Sequence, residues 1–306
     1  MIPTALPPYR SRICDWIVAS SLPLAGVDVA ADTVPDIVIR EAPVPGAADA
    51  RAGGANRTIV GACGNARMDL YGVCAVLMTS ACEVIVERVP GIADALIAST
   101  MTGAVLDLIC LRRGLVPLHA AAVATPAGAV LITGASGAGK STTLAGLAAR
   151  GHAVLTDDTA VIDPATLEVV PSTAGMKLTD DAARRLGLDA ARLLRLNGDA
   201  GKLILMPDRV STRRQLPLAI VVLEAGDGET IDRLPSGAAV AAILGQIRGG
   251  HLLAAFGRPG IGFQVATRLV AAVPVWRVTR PRAGDLSRLL DRLTPIFAAG
   301  QGLPSD

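Results

Sequence analysis

Short apolar runs, separated by proline, glycine and small polar residues, fill the first third of the chain. The runs at residues 36–40 and 83–87 have the length and the β-branched content of strands, and the Ala-, Gly- and Asp-rich stretch at 47–56 predicts a loop. From residue 92 to 112 the apolar positions continue without a proline, which predicts a buried helix. We therefore predict a small β-rich leading domain over residues 1–112, in which no motif indicates a chemistry.

The pattern in the rest of the chain changes to alternating strands and helices. Apolar runs at 118–124 and 129–133 flank a Thr-Pro-Ala-Gly turn, which favours an antiparallel hairpin. A glycine-rich loop and a helix follow. Leucines spaced i, i+3, i+4 and i+7 after residue 285 predict a last amphipathic helix that Pro295 disturbs. This pattern predicts an α/β domain over residues 113–306.

The composition excludes several classes of protein. Of the 306 residues, 51% are hydrophobic and 18% are charged, which excludes intrinsic disorder. The mean hydropathy of +0.48 hints at a membrane. However, Pro117, His119 and Pro126 interrupt the longest uncharged stretch, residues 114–139, so we interpret it as buried strands. A net charge of +2 without long runs of one sign argues against a nucleic-acid-binding protein.

The cysteines and lysines narrow the picture further. The five cysteines include no pair with CxxC spacing, and the first residues lack the basic and apolar segments of a secretion signal. We therefore expect a cytoplasmic protein with reduced thiols. Among the 29 basic residues only three are lysines, Lys140, Lys177 and Lys202. Because the chain makes its general positive charge with arginine, each lysine invites a specific role.

Residues 134–141 read Gly-Ala-Ser-Gly-Ala-Gly-Lys-Ser and match the phosphate-binding pattern GxxxxGK[ST] at every defined position. The motif follows an apolar strand and precedes a helix predicted over about 141–150, which is the context that it requires. Its glycines let consecutive N–H groups face a polyphosphate, Lys140 would neutralise the β- and γ-phosphate oxygens, and Ser141 offers a hydroxyl to Mg²⁺. The alternative is a glycine-rich turn that merely starts a helix. The strand, lysine and hydroxyl together favour nucleotide binding.

Two adjacent carboxylates, Asp157 and Asp158, end the apolar strand that follows this helix. Strand ends of a doubly wound sheet face the ligand. Neighbouring side chains on a strand point in opposite directions, so one aspartate can hold Mg²⁺ and the other can accept a proton from an attacking hydroxyl. A solvated strand end that caps the next turn is the alternative, and the nearby phosphate motif favours the functional interpretation.

The hairpin register brings His119 to the same place. If Ala124 lies opposite Ala129, paired positions sum to 253, and His119 falls opposite Gly134, the first glycine of the loop. There the imidazole could orient the γ-phosphate or the metal shell. The alternative is a structural histidine with satisfied hydrogen bonds.

The remaining two lysines each follow a glycine-containing segment. A phosphoryl-transfer site gains from extra cations, because its transition state spreads charge over the equatorial oxygens. We predict that Lys177 and Lys202 contribute to nucleotide binding, and exposed lysines in surface ion pairs are the alternative.

The order Leu118-His119-Ala120, the glycine-rich motif, Gly151-His152 and Asp157-Asp158 resembles the C-terminal catalytic domain of HPr kinase/phosphorylase. It is more similar still to the HPr-kinase-like proteins of bacterial peptide-modification clusters, which include lasso-peptide precursor kinases. The resemblance covers about residues 115–223. It implies a P-loop kinase core related to phosphoenolpyruvate carboxykinase, which uses ATP and Mg²⁺ to phosphorylate a serine hydroxyl.

The resemblance also implies roles for single residues. Ser141 and Asp158 would bind the metal, Asp157 would be the base, His119 would support the γ-phosphate, and Lys140 would be the cation of the loop. Between Asp158 and Lys177 the sequence lacks the Glu-Ile-Arg-Gly-like segment that the bifunctional enzymes use in phosphorolysis, which argues against phosphorylase activity and against HPr as the substrate. The residues that would cradle the phosphates are Gly134, Ala135, Ser136, Gly137, Ala138, Gly139, Lys140, Ser141 and Thr142.

Together these observations predict an ATP-dependent serine kinase with a P-loop core of the HPr kinase and phosphoenolpyruvate carboxykinase type, preceded by the β-rich domain. Its predicted acceptor is a peptide, the C-terminal region of a ribosomally made lasso-type precursor, and we expect neither a nucleic acid nor a membrane as partner. A kinase for a carrier protein or a small hydroxylated metabolite, and a regulatory module that binds ATP without transfer, are the alternatives. The sequence leaves a homo-oligomer open.

Overall fold

The structure is a computed structural model of the 306-residue chain, and it has a mixed α/β architecture. It describes residues 6–47, 54–172, 175–189, 191, 193–195, 202–281 and 284–298. Within these ranges the strands form one sheet of eight strands, one of six and two of three. The mixed α/β class predicted from the sequence is thereby confirmed, whereas a P-loop core of the HPr kinase type stays a prediction.

The eight-stranded sheet is formed by the leading part of the chain. Its strands are β1 (Tyr9–Ile13), β2 (Trp16–Ser20), β3 (Val27–Asp28), β4 (Ile37–Glu41), β5 (Arg57–Val60), β6 (Ala66–Leu70), β7 (Cys74–Met78) and β8 (Glu83–Arg88). Their order is β3-β1-β2-β4-β8-β7-β6-β5, and β2, β4 and β8 run parallel. The strands predicted at 36–40 and 83–87 are β4 and β8, so both are confirmed. The loop predicted at 47–56 falls largely outside the described residues.

A long helix in three parts packs against this sheet. The parts are α1 (Asp94–Thr100), a π-helical turn (Met101–Val105) and α2 (Leu106–Arg113). Its apolar side chains, among them Ile97 and Leu108, share one core with the strands. By length and composition this helix could cross a membrane, but 61% of its most apolar window is buried inside the protein. We therefore assign it as the core helix of the first sheet, in agreement with the predicted buried helix.

The rest of the chain forms the smaller sheets and the remaining helices. Its strands are β9 (Val116–Leu118), β10 (Ala120–Thr125), β11 (Gly128–Gly134), β12 (Ala153–Thr156), β13 (Ala160–Ile162), β14 (Val169–Val170), β15 (Met176–Thr179), β16 (Leu193–Arg195), β17 (Lys202–Leu205), β18 (Pro217–Ala225), β19 (Thr230–Arg233) and β20 (Val275–Arg280). Its helices are α3 (Lys140–Ala149), α4 (Asp180–Arg185), α5 (Ser236–Leu244), α6 (Ile261–Ala272) and α7 (Leu286–Ala298), with a 3₁₀ turn at Gly250–Leu252. The helices predicted to begin near residues 141 and 285 are α3 and α7.

The six-stranded sheet has the order β12-β10-β11-β18-β20-β19, and β11, β18 and β20 run parallel. Alternate residues of a strand face opposite sides of a sheet. Ile132 of β11 accordingly shares a core with α3 and α7, whereas its neighbour Leu131 shares a core with α5 and α6. Helices therefore cover both faces, and the carboxyl ends of the parallel strands stay open.

The hairpin of β10 and β11 has the register that the turn predicts. Ala124 pairs with Ala129 and Ala120 pairs with Thr133. The paired positions thus sum to 253 as expected, because the turn fixes the register of the two strands. This register delivers the residue before β10 to the end of β11.

The last helix differs from the prediction at its C-terminal end. It continues through Pro295 to Ala298. Proline removes one backbone hydrogen bond and favours a kink. The gain from burying Leu293 and Ile296 against the second sheet outweighs that loss, since both side chains are almost completely inaccessible to solvent.

Candidate functional site

The glycine-rich loop joins the end of β11 to the start of α3, at the open edge of the parallel strands. Lys140 folds back over the loop, where its Nζ donates to the carbonyl oxygens of Gly134 (2.8 Å) and Ala135 (3.1 Å). Burial lowers the pKa of Lys140. Gly134 has a φ of +135°, and a Cβ there would collide with the carbonyl oxygen of Leu223 on β18. Both its conformation and its close approach to β18 require glycine at this position.

Asp157 lies directly behind this loop. The hydroxyl of Ser141 donates to its Oδ1 at 2.9 Å, and the backbone N–H of Lys177 donates to its Oδ2 at 2.7 Å. The side chain is buried, and that burial raises the pKa of the carboxyl. Asp157 is therefore fixed against the first turn of α3, with one oxygen on the hydroxyl that follows Lys140.

Asp158 points the other way, towards a lysine, an arginine and an imidazole. Its φ of +68° turns the chain away from the line of the strand. Lys177 Nζ lies 3.4 Å from Oδ2, His119 Nδ1 lies 3.3 Å from Oδ1, and Arg248 donates to the same oxygen. Burial raises the pKa of Asp158, but the hydrogen bond from His119 and the charges of Lys177 and Arg248 hold it well below its usual range. The Asp158 carboxylate of the folded protein is therefore ionised near neutral pH.

His119 occupies the position that the hairpin register predicts. It lies between β9 and β10, where its carbonyl accepts from the hydroxyl of Thr133 at 2.9 Å and its N–H donates to Gln246 O at 2.7 Å. Hydrogen bonds therefore fix both the backbone N–H and the backbone carbonyl of His119, and its ring faces Asp158. The hairpin register is confirmed up to the pair of Ala120 and Thr133, and His119 lines the same cleft as the glycine-rich loop. Its role towards a phosphate stays a prediction.

Lys177 reaches the site, but Lys202 is described only in its backbone. The backbone N–H of Lys177 donates to Asp157, and its side-chain Nζ donates to Asp158. Lys202 is the first residue of β17 and pairs with Thr179 of β15. The side chain of Lys202 lies outside the described residues, so its predicted role is untested.

The site contains two arginines that the sequence did not predict there. Arg248 contacts Asp158 and His119, and its N–H donates to Pro117 O at 2.9 Å, which fixes its segment beside β9. Arg280 ends β20 and donates to Ala138 O in the glycine-rich loop at 3.1 Å. Neither belongs to a motif, and in a chain with 26 arginines the residue type gave no signal.

A cleft of about 440 Å³ lies at the carboxyl ends of the parallel strands and contains most of these residues, although Arg248 lies outside its lining. Hydroxyl and carboxylate oxygens, such as those of Ser141 and Asp157, suit Mg²⁺, and the loop and the surrounding cations suit a polyphosphate. The residues present therefore fit a magnesium nucleotide. The side chains and loop residues that line the cleft include His119, Ser136, Gly137, Gly139, Lys140, Ser141, Thr142, Asp157, Asp158, Lys177, Arg185 and Arg280.

Comparison with known proteins leaves the family open. No protein-family model matches the chain, and no curated protein matches it. Among solved structures, the Hpr(Ser) kinase/phosphatase from Coxiella burnetii matches 58% of this chain and 93% of its own chain, with 15% sequence identity and a TM-score of 0.28. A TM-score of this size does not establish a shared fold.

Proposed function

We propose that this protein is an ATP-dependent kinase that transfers the γ-phosphoryl group to a serine hydroxyl of a peptide. The observation that carries the proposal is that the two aspartate side chains face different parts of the site. Asp157 is held on the hydroxyl of Ser141 behind the phosphate loop, and Asp158 faces the open cleft among three cationic or imidazole side chains. A site that only bound nucleotide would not need the second carboxylate in that position.

The contacts support the reverse of the aspartate roles that the resemblance implies. Ser141 and Asp157 touch each other and would hold Mg²⁺ between them, in place of the predicted pair of Ser141 and Asp158. The ion would neutralise charge on the β- and γ-phosphates. The sequence could not separate the two aspartates, because the left-handed φ of Asp158 decides which side chain faces the loop.

Asp158 takes the role of the residue that receives the serine proton. The serine oxygen forms a bond to the γ-phosphorus, the bond between that phosphorus and the β,γ-bridging oxygen breaks, and ADP leaves. The proton of the hydroxyl goes to the Asp158 carboxylate. The lowered pKa keeps this carboxylate ionised. Because the transition state is loose, the carboxylate mainly orients the hydroxyl and takes its proton late.

Positive charge surrounds the place where the phosphoryl group would be transferred. Lys140 and Lys177 line the cleft together with His119, and Arg248 adds its charge through its contacts with Asp158 and His119. Fixed cations stabilise charge that develops on the equatorial oxygens without reorganising during the reaction. The peptide acceptor is inferred from the motif resemblance, with a lasso-type precursor that ends in serine as the first candidate.

The test is a phosphotransfer assay with purified protein, ATP, Mg²⁺ and a serine-ended peptide, followed by mass spectrometry. We expect one added phosphoryl group with the wild type. Lys140→Ala should lose nucleotide binding, whereas Asp158→Asn should keep nucleotide binding and lose at least about 100-fold in transfer. Asp163→Asn is the matched control, because Asp163 also pairs with an arginine, Arg214, but does not line the cleft.

Three results would change the assignment. Transfer to a carrier protein or a small hydroxylated metabolite, with no peptide modified, would overturn the peptide acceptor and keep the kinase. Unchanged transfer in Asp158→Asn would overturn its role. Nucleotide binding with no transfer to any acceptor, and a biological output that survives Asp158→Asn, would make the protein a nucleotide-sensing module.

A further inference from the structure

The long helix of the leading part passes close to Lys177, a residue of the proposed active site. Its π-helical turn contains Gly103, whose φ and ψ of −111° and −105° depart from helical values. A Cβ on Gly103 would lie 3.8 Å from Lys177 Nζ. Asp107 follows on the same helix and feels the charge of the same lysine. π-Helical turns frequently occur at functional sites.

Asp107 is a buried carboxylate with two partners from the other half of the chain. Only 8% of the residue is exposed. Its Oδ1 accepts from the hydroxyl of Thr159 at 3.0 Å, and its Oδ2 lies 3.7 Å from Nη1 of Arg248. A buried charge is costly unless it is paired, so these two contacts are what keep the carboxylate in place.

Arg248 connects Asp107 to the reacting centre. One end of its guanidinium faces Asp107, and the other donates to Asp158 and lies against His119. Its backbone is fixed on β9, but the long side chain has many rotamers that a backbone contact does not restrict. Asp107 thus lies at Nη1 of the guanidinium, while Nη2 contacts Asp158.

We propose that Asp107 is a positioning residue of the kinase site, which acts by holding Arg248 against Asp158. The proposal rests on the function proposed above. It makes the leading half of the chain a structural part of the active site, although none of its residues touches the nucleotide or the acceptor in this mechanism.

Asp107→Asn tests the proposal with little disturbance of the fold. The amide keeps an oxygen for the Thr159 hydroxyl and turns an NH₂ group towards Arg248 in place of the second carboxylate oxygen. Loss of the anchor should lower kcat by about 10- to 100-fold, because small misplacements of reacting groups have effects of this size. The KM for ATP should change by less than about threefold, since the phosphate loop is untouched. Asp94→Asn is the matched control, because Asp94 lies on α1 of the same helix and pairs with Arg88 at the surface.

A double-mutant cycle separates positioning from a general structural effect. If Asp107 acts through Arg248, Asp107→Asn should cause no further loss of kcat in an Arg248→Met background. Additive losses, or a loss equal to that of Asp94→Asn, would overturn the proposal.

A measurement without catalysis keeps the proposal independent of the kinase assignment. In the wild type, the ¹⁵N signals of the Arg248 guanidinium should show restricted rotation, and in Asp107→Asn they should average. Unchanged signals would overturn the positioning role even if the kinase is active. Absence of transfer by the wild type would overturn the kinase function, and the Arg248 signals would then decide whether Asp107 holds this arginine.

Discussion

At the scale of single residues, Arg280 shows how the cleft is prepared for an anion. Its guanidinium crosses the glycine-rich loop and packs so closely on Gly139 that any Cβ there would collide with it. Burial and the nearby charge of Arg185 lower the pKa of Arg280. Two arginines that face the same cleft repel each other, and a bound polyphosphate would relieve that repulsion.

Arg280→Met should therefore weaken nucleotide binding. We expect the Kd for Mg·ATP to rise about tenfold, which corresponds to about 1.4 kcal/mol. Isothermal titration calorimetry measures the change. Arg277→Met is the control, because Arg277 lies on the same strand and pairs with Glu224. Equal affinities of the two variants would contradict a role for Arg280 at the nucleotide.

The buried carboxylate of Asp107 predicts a dependence of stability on pH. Burial raises its pKa from 3.8 to about 6, against the opposing charges of Arg248 and Lys177 and the hydrogen bond from Thr159, and with a further increase from Asp158. The folded chain then binds this proton more tightly than the unfolded chain, so the group lowers stability as the pH rises from about 4 to about 6. The Asp107→Asn variant has no carboxylate at this position, so it lacks this decrease in stability.

Between about pH 5 and about pH 7, the Tm of the wild type should thus fall relative to the Tm of Asp107→Asn. A change of about 1–2 °C corresponds to about 1 kcal/mol in a chain of 306 residues. Calorimetry at the two pH values gives the difference directly. A Tm difference that stays constant, or changes in the opposite direction, would contradict the raised pKa.

At the scale of elements, the close approach of β11 to β18 positions the glycine-rich loop. The two strands are parallel neighbours, and Gly134 pairs with Leu223 at their carboxyl ends. A side chain on Gly134 would push the strands apart where the loop begins, and its φ is unfavourable for any other residue.

Gly134→Ala should consequently lower the free energy of unfolding by about 2–4 kcal/mol and weaken nucleotide binding. Gly151→Ala provides the control, because Gly151 also has a positive φ, +92°, but a Cβ there meets nothing within 4 Å. The control should lose only the conformational part, about 1 kcal/mol. Chemical denaturation compares the two. Equal losses would show that contact with Leu223 contributes nothing.

Some elements of this fold follow from the local sequence and others do not. The turn at Thr125–Gly128 fixes the β10–β11 register, so His119 could be placed from the sequence. The π-helical turn at Met101–Val105 could not be predicted from the sequence, because the apolar pattern through it is that of an ordinary buried helix. The continuation of α7 through Pro295 also depends on burial rather than on local preference.

At the scale of the whole molecule, the proposed boundary between residues 112 and 113 cuts through a shared core. It falls one residue before the end of α2. Val161 and Val170 of the second half, with Leu252 and Leu253, pack into the core of the first sheet. Arg214 also pairs with Asp15 across the two halves.

A fragment of residues 113–306 should therefore be less stable than the full chain. Removing the leading half exposes these four apolar side chains, and burial of each is worth about 1.5–3 kcal/mol. We expect a lower Tm, binding of a hydrophobic dye and loss of phosphotransfer, measured on the fragment beside the full chain. A fragment with the Tm and activity of the full chain would contradict both the shared core and the role of Asp107.

The sequence by itself determined the mixed α/β class, the glycine-rich loop between a strand and a helix with Lys140 and Ser141, and the hairpin register that brings His119 near that loop. Each depends on residues that are close in the chain, where turn chemistry and strand alternation act directly. The tertiary structure decided which aspartate faces Ser141, and it brought Arg280 to the cleft and Arg248, with the buried Asp107, to Asp158. Those placements depend on a single left-handed backbone angle at Asp158 and on contacts between segments distant in sequence, and no local pattern encodes either of them.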